Sequence, residues 1–173
     1  MQNLAKQVVL VIFDGWGYRE EIRGNAIAAA NKPCFDELWK HNPHALLEAS
    51  GRHVGLPEGE MGNSEVGHLA IGAGAVINTD VVRISEAFNK DEAKHNPAFL
   101  ELFKHLKIHD STLHILGLVS PGGIHSHQEH LYGFLRLAKQ AGIKKIVIHA
   151  FTDGRDTPPQ SAKEHIAKLE QIL

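Results

Sequence analysis

Carboxylates, a serine, imidazoles and an arginine recur in glycine-rich stretches of this chain. The stretches are Asp14-Gly15-Trp16-Gly17, Met61-Gly62-Asn63-Ser64-Glu65-Val66-Gly67-His68, Ser120-Pro121-Gly122-Gly123-Ile124-His125-Ser126-His127 and Asp153-Gly154-Arg155-Asp156. Groups of these types bind metals and transfer phosphoryl groups. Asp14 directly follows an apolar run. A carboxylate there is poorly solvated unless a metal ion, a helix N-terminus or backbone N–H groups meet it. Ligand and structural cap both fit. Ser64 with Glu65 suits a helix N-cap. The hydrolase nucleophile elbow needs glycine two residues after its serine, and Val66 stands there, so Ser-His-Asp hydrolysis is poorly supported. A divalent metal is another way to activate the hydroxyl, with Asp14 as a candidate ligand from a different loop.

His125 and His127, with His130 beyond them, could form a zinc site, but local histidine pairs are weak evidence alone. The favoured alternative lets Gly122 and Gly123 bring the backbone close to an anion while His125 hydrogen-bonds it. In Asp153-Gly154-Arg155-Asp156-Thr157-Pro158-Pro159, one reading is a salt-bridged turn whose Thr157 caps the last helix. The other gives Arg155 a bidentate grip on a phosphate or carboxylate and leaves Asp156 to handle a substrate hydroxyl proton. Residue chemistry leaves both open.

These loops need a frame. Val8–Phe13, Leu113–Leu118 and Ile146–Ile148 running into Phe151 read as buried parallel strands, being short, apolar and β-branched. Ala45–Ala49 is a weaker strand candidate. Helical patterns occupy Pro97–Leu106, His130–Ala141 (closing at Gly142) and Pro159–Leu173. Alternating strands and helices predict an α/β fold, a mainly parallel sheet flanked by helices. In such sheets ligands bind beyond the C-terminal strand ends, where these loops fall. Gly72–Asp80 is a plausible lobe boundary. The last helical pattern reaches Leu173 without a capping glycine, as in a chain cut inside a larger domain.

At 173 residues, 43% of them hydrophobic, the chain can build a real core. Its net charge is -2 and its cations are scattered, which argues against a nucleic-acid partner. The longest apolar run is too short to cross a membrane. A single cysteine, Cys34, makes no internal disulfide, and the cytoplasm is the default expectation.

The motifs Val11-Ile12-Phe13-Asp14-Gly15-Trp16-Gly17, Met61–His68, Gly122–His127 and His149–Pro159 resemble, in order and spacing, those of cofactor-independent phosphoglycerate mutases. Asn25-Ala26 and Gly55-Leu56-Pro57 fit as well, so the resemblance covers essentially the whole chain. It implies an alkaline-phosphatase-like fold and interconversion of 3-phosphoglycerate and 2-phosphoglycerate through a phosphoserine. It also implies two divalent metals, typically manganese, and no bisphosphoglycerate. By resemblance, Asp14 and Ser64 are metal ligands, Ser64 is the nucleophile, and His125, Arg155 and Asp156 bind substrate. Residues 1–78 match the opening of the metal-binding, phosphatase-type domain, and 79–173 the first part of the transferase-type domain.

Pro121, Ala75 and Phe13 depart from the family pattern, and none removes a named catalytic residue. Family members are much longer, and their C-terminal half supplies further metal ligands and substrate-binding cations. The chain alone is therefore expected to be an incomplete, inactive mutase that needs that half. Two alternatives are a phosphohydrolase of the same superfamily and a non-catalytic remnant.

Overall fold

The computed structural model describes residues 7–173. Seven α-helices and two strands follow in chain order. They are α1 (Ala26–Ala29), α2 (Pro33–His41), α3 (Ser64–Ala73), α4 (Asp80–Asn89), α5 (Pro97–Ile108), β1 (Leu113–Val119), α6 (Gln128–Gln140), β2 (Ile146–Thr152) and α7 (Ala162–Ile172). Short 3-10 turns occupy Gly51–Val54 and Ala93–His95.

The fold is α/β. β1 and β2 pair in parallel from Leu113↔Ile146 to Val119↔Thr152, and α6 makes the crossover between them. Local chemistry explains the helix ends. Pro97 opens α5 where its missing N–H costs nothing, and the Asn96 side chain accepts the Ala98 N–H at 2.9 Å. α6 ends at Gln140 with Ala141 as its cap, after which Gly142 turns at φ +75°, close to where its sequence pattern predicts. α7 starts later than predicted, at Ala162 after Ser161, because Pro158 to Ser161 form a turn closed by the Ser161 N–H on the Pro158 carbonyl.

The core lies on one side of the sheet. Phe103, Leu106, Leu113, Leu137 and Ala138 join α5, β1 and α6, while Val119, Tyr132, Leu135 and Leu169 join β1, α6 and α7. Alternation along the strands sends His114, Leu116, Val147, His149 and Phe151 to the other face, where all are exposed. A smaller cluster of Val54, Leu56 and Val66 fixes α3 to the Gly51–Val54 turn. The α3–α4 connection runs from Gly74 to Thr79. Thr79 ties it down, its N–H and hydroxyl both donating to the Gly55 carbonyl at 2.8 Å.

Two predicted strands are absent among the described residues. Val8–Phe13 and Ala45–Ala49 run without regular structure, and Val8 is 92% exposed. A buried parallel strand exists only beside partners that satisfy its backbone. The only ladder among the described residues is that of β1 with β2.

Candidate functional site

The ends of β1 and β2 build the best-defined polar cluster. Each strand is seven residues long and their register is straight, so Ser120 and Asp153 leave the sheet side by side. The Ser120 hydroxyl donates to Asp153 Oδ2 at 2.6 Å. Asp153 Oδ1 accepts the N–H groups of Gly154, Arg155 and Asp156 at 2.7, 2.9 and 3.1 Å. The serine hydroxyl first, and then these backbone donors, hold the Asp153 carboxyl well below the usual carboxylate range. Asp153 is thus occupied by its own turn, and the salt-bridged reading of this loop gives way to a backbone-capped one. Thr157 does not cap α7: its Oγ1 is buried without a partner among the described residues, and Ser161 holds the cap position.

That turn carries Arg155 and Asp156. Asp156 Oδ2 accepts from His125 Nδ1 at 2.6 Å, joining the loop after β2 to the loop after β1. The Asp156 side chain is 7% exposed and that of His125 is 55% exposed, so the pair sits at the surface with its carboxylate sheltered. Arg155 is exposed, and its guanidinium meets no carboxylate among the described residues. Gly122 lies at the junction of the two loops. A Cβ there would stand 2.8 Å from Asp156 Cβ and 3.2 Å from Asp153 Oδ2, so only glycine admits this approach.

The three nearby imidazoles do not converge on a metal. His125 pairs with Asp156, His127 caps α6 by accepting the Glu129 N–H, and His130 Nε2 lies 2.8 Å from Ser85 Oγ. Burial, with a smaller contribution from His127, pulls the His130 ring below its ordinary value. Among the described residues no group of three or more His, Cys, Asp or Glu could hold a metal ion.

Ser64 is the first residue of α3 and is exposed; the N-cap is Asn63, whose side chain accepts the Val66 N–H at 3.1 Å. Ser64 Oγ is 3.2 Å from His68 Nδ1, which also lies 2.8 Å from the Ser64 carbonyl. A carbonyl can only accept, so Nδ1 carries the hydrogen and cannot take the serine proton. A Ser64–His68 general-base pair is therefore not formed. Asp14 occupies an exposed turn after the unpaired Val8–Phe13 segment. Asp14 and Ser64 offer two oxygen donors and do not by themselves make a coordination sphere.

Ser120 and Asp153 were not singled out as site residues from the sequence. The available signal was positional: each directly follows one of two strands that pair in parallel.

Residues 84–173 match the family described as BPG-independent PGAM N-terminus. The chain is 55% identical over 166 residues to the 2,3-bisphosphoglycerate-independent phosphoglycerate mutase of Synechococcus sp. (strain JA-3-3Ab), covering 96% of this chain and 31% of that protein. It is 51% identical over 170 residues to 2,3-bisphosphoglycerate-independent phosphoglycerate mutase 1 of Methanosarcina barkeri, covering 98% and 33%. A Leishmania mexicana phosphoglycerate mutase, solved at low cobalt concentration, superposes with a TM-score of 0.65 at 37% identity. That match covers 86% of this chain and 27% of the other. The chain spans about a third of the length of the curated relatives it matches. With its four motifs in order and its strand-end cluster in place, the chain belongs to the family of N-terminal portions of bisphosphoglycerate-independent phosphoglycerate mutases.

Proposed function

We propose that this chain carries the serine motif and part of the substrate cradle of a phosphoglycerate mutase, which interconverts 3-phosphoglycerate and 2-phosphoglycerate in the cytoplasm. The observation that carries the reading is the strand-end cluster. His125 and Asp156 meet at 2.6 Å beside an exposed Arg155 whose guanidinium is left for a ligand. Arg155 grips the anionic phosphate or carboxylate in a charge-assisted fork. His125 hydrogen-bonds the substrate, and Asp156 orients its ring and accepts a hydroxyl proton. Such positioning lets glycerate stay bound and take the phosphoryl group back on its other hydroxyl.

Ser64 is the proposed phosphoryl acceptor, through a phosphoserine. Its exposure at the start of α3 supports this, since an attacking oxygen must be reachable. Residues 1–78 then belong to the phosphatase-type, metal-binding part and 79–173 to the transferase-type part. A family match beginning at Ile84 supports that division. Two divalent metals, manganese by family resemblance, accord with the cobalt named for the Leishmania structure. Asp14 and Ser64 are proposed among their ligands. The described residues do not complete such a site. The missing ligands belong to a segment that corresponds to the remaining length of the relatives.

The test is to purify the 173-residue chain, titrate it with 3-phosphoglycerate by calorimetry, and assay turnover with manganese. The reading expects measurable binding, weakened about tenfold or more in Arg155→Ala, with no turnover. Binding untouched by Arg155→Ala would refute the cradle. Turnover that disappears in Ser64→Ala would show that the short chain builds a complete site.

A further inference from the structure

Two hydrogen bonds between side chains join the loop after β1 to the loop after β2 among the described residues. One is His125 to Asp156, and its histidine is 55% exposed. A pair with one partner open to solvent holds two loops less firmly than a pair buried on both sides. The other is Ser120 Oγ to Asp153 Oδ2 at 2.6 Å. Ser120 is completely buried and Asp153 is 7% exposed.

The remaining donors to Asp153 are N–H groups of its own turn, so they shape that turn without connecting it to anything. Ser120 makes the connection. Its hydroxyl oxygen also accepts the Gly122 N–H at 3.2 Å, and its carbonyl accepts the Gln128 N–H at 2.8 Å where α6 begins. A closed circuit results. It runs from Gly122 to the Ser120 hydroxyl, to the Asp153 carboxylate, to the Asp156 N–H, and back through the Asp156 carboxylate to His125.

We propose that Ser120 is a positioning residue: its buried hydroxyl locks the His125 loop to the Asp156 loop and sets the geometry of the pair that receives phosphoglycerate. The substrate half of this inference rests on the role proposed above for His125 and Asp156. A hydroxyl suits the task because it donates to the carboxylate while accepting Gly122, which no apolar side chain of its size can do. The depressed titration of Asp153 agrees with a charge fixed by that hydroxyl.

Ser120→Ala removes the hydroxyl and little volume. Long-range proton–nitrogen spectra of the histidine rings, with His125 assigned through His125→Gln, report the pair directly in the 173-residue chain. Calorimetry reports 3-phosphoglycerate affinity. Ser120→Ala should move the His125 signals towards those of Asp156→Asn and weaken binding about tenfold. Asp153→Asn should do the same from the other side of the bond, and should serve if Ser120→Ala folds poorly. The double variant should show less than the sum of the two single effects, because both include the loss of the Ser120–Asp153 hydrogen bond. His125 signals and affinity both unchanged in the two variants would overturn the proposal even if the melting temperature fell, since a purely structural serine lowers stability alone. Binding that depends on His125 but not on Ser120 overturns the positioning role and keeps the substrate cradle. A wild-type chain that binds no 3-phosphoglycerate, while Ser120→Ala still moves the His125 signals, sinks the substrate reading and sustains the lock on the pair.

Discussion

His125 Nδ1 and Asp156 Oδ2 stand 2.6 Å apart although 31 residues separate them in sequence. A whole helix and a strand lie between them. Parallel pairing of β1 with β2 brings their loops to the same edge. In Asp156→Asn the charged acceptor is lost and the amide cannot both orient the ring and take a proton. We expect about a tenfold or greater loss of 3-phosphoglycerate affinity, measured by calorimetry, with the far-ultraviolet dichroism unchanged. Equal affinity in wild type and variant would remove Asp156 from the proposed cradle.

Asp153 links stability to pH. Its carboxyl titrates below the ordinary value of 3.8 when folded, so its contribution is fully present above that value and is lost as pH falls through the folded one. The melting-temperature gap between wild type and Asp153→Asn should stay constant from pH 7 to about 5 and narrow on further acidification. Scanning calorimetry across that range checks it. A gap that widens in acid would contradict the hydrogen-bonding pattern around this carboxylate.

His130 works through burial. Its ring sits between α6 and α4, with Ser85 Oγ 2.8 Å from Nε2, and its folded titration lies below the ordinary 6.5. Below 6.5 the unfolded chain takes up the proton more readily, so stability declines as pH falls from 6.5 towards the folded value and levels off below it. His130→Gln does not titrate and should flatten the melting-temperature slope between pH 7 and 5. An unaltered slope in the variant would assign the pH dependence to other groups.

Gly133 faces Phe88 across the α4–α6 contact. A Cβ at Gly133 would stand 2.7 Å from Phe88 Cδ1 and 2.8 Å from Cγ. Gly→Ala inside a helix is favourable by roughly 1 kcal/mol in open surroundings, while overpacking costs about 1–3 kcal/mol. The clash involves the root of the ring as well as its edge, so it prevails. Gly133→Ala should lose up to about 2 kcal/mol in urea unfolding. Gly72, helical with nothing within 4 Å of a built Cβ, is the control, and its alanine variant should be neutral or slightly more stable.

Much of this protein was legible in its residues. The apolar, β-branched runs at Leu113 and Ile146 became the two strands, and Pro97 and Gly142 marked helix ends through their own backbone constraints. The motifs containing Asp14, Ser64, His125, Arg155 and Asp156 pointed to the family, because residue type and local spacing are properties of the chain itself. Val8–Phe13 carries the same strand-like composition as β1 and yet is exposed and unpaired. Composition makes a segment able to be a strand, but only a neighbour's backbone makes it one. The same distinction separates the site's parts. The His125–Asp156 pair, the Ser120–Asp153 bond and the close approach at Gly122 join residues about 30 positions apart. Their partners were decided by the register of β1 on β2 and by the packing of α6, which are long-range consequences of core burial rather than of local sequence.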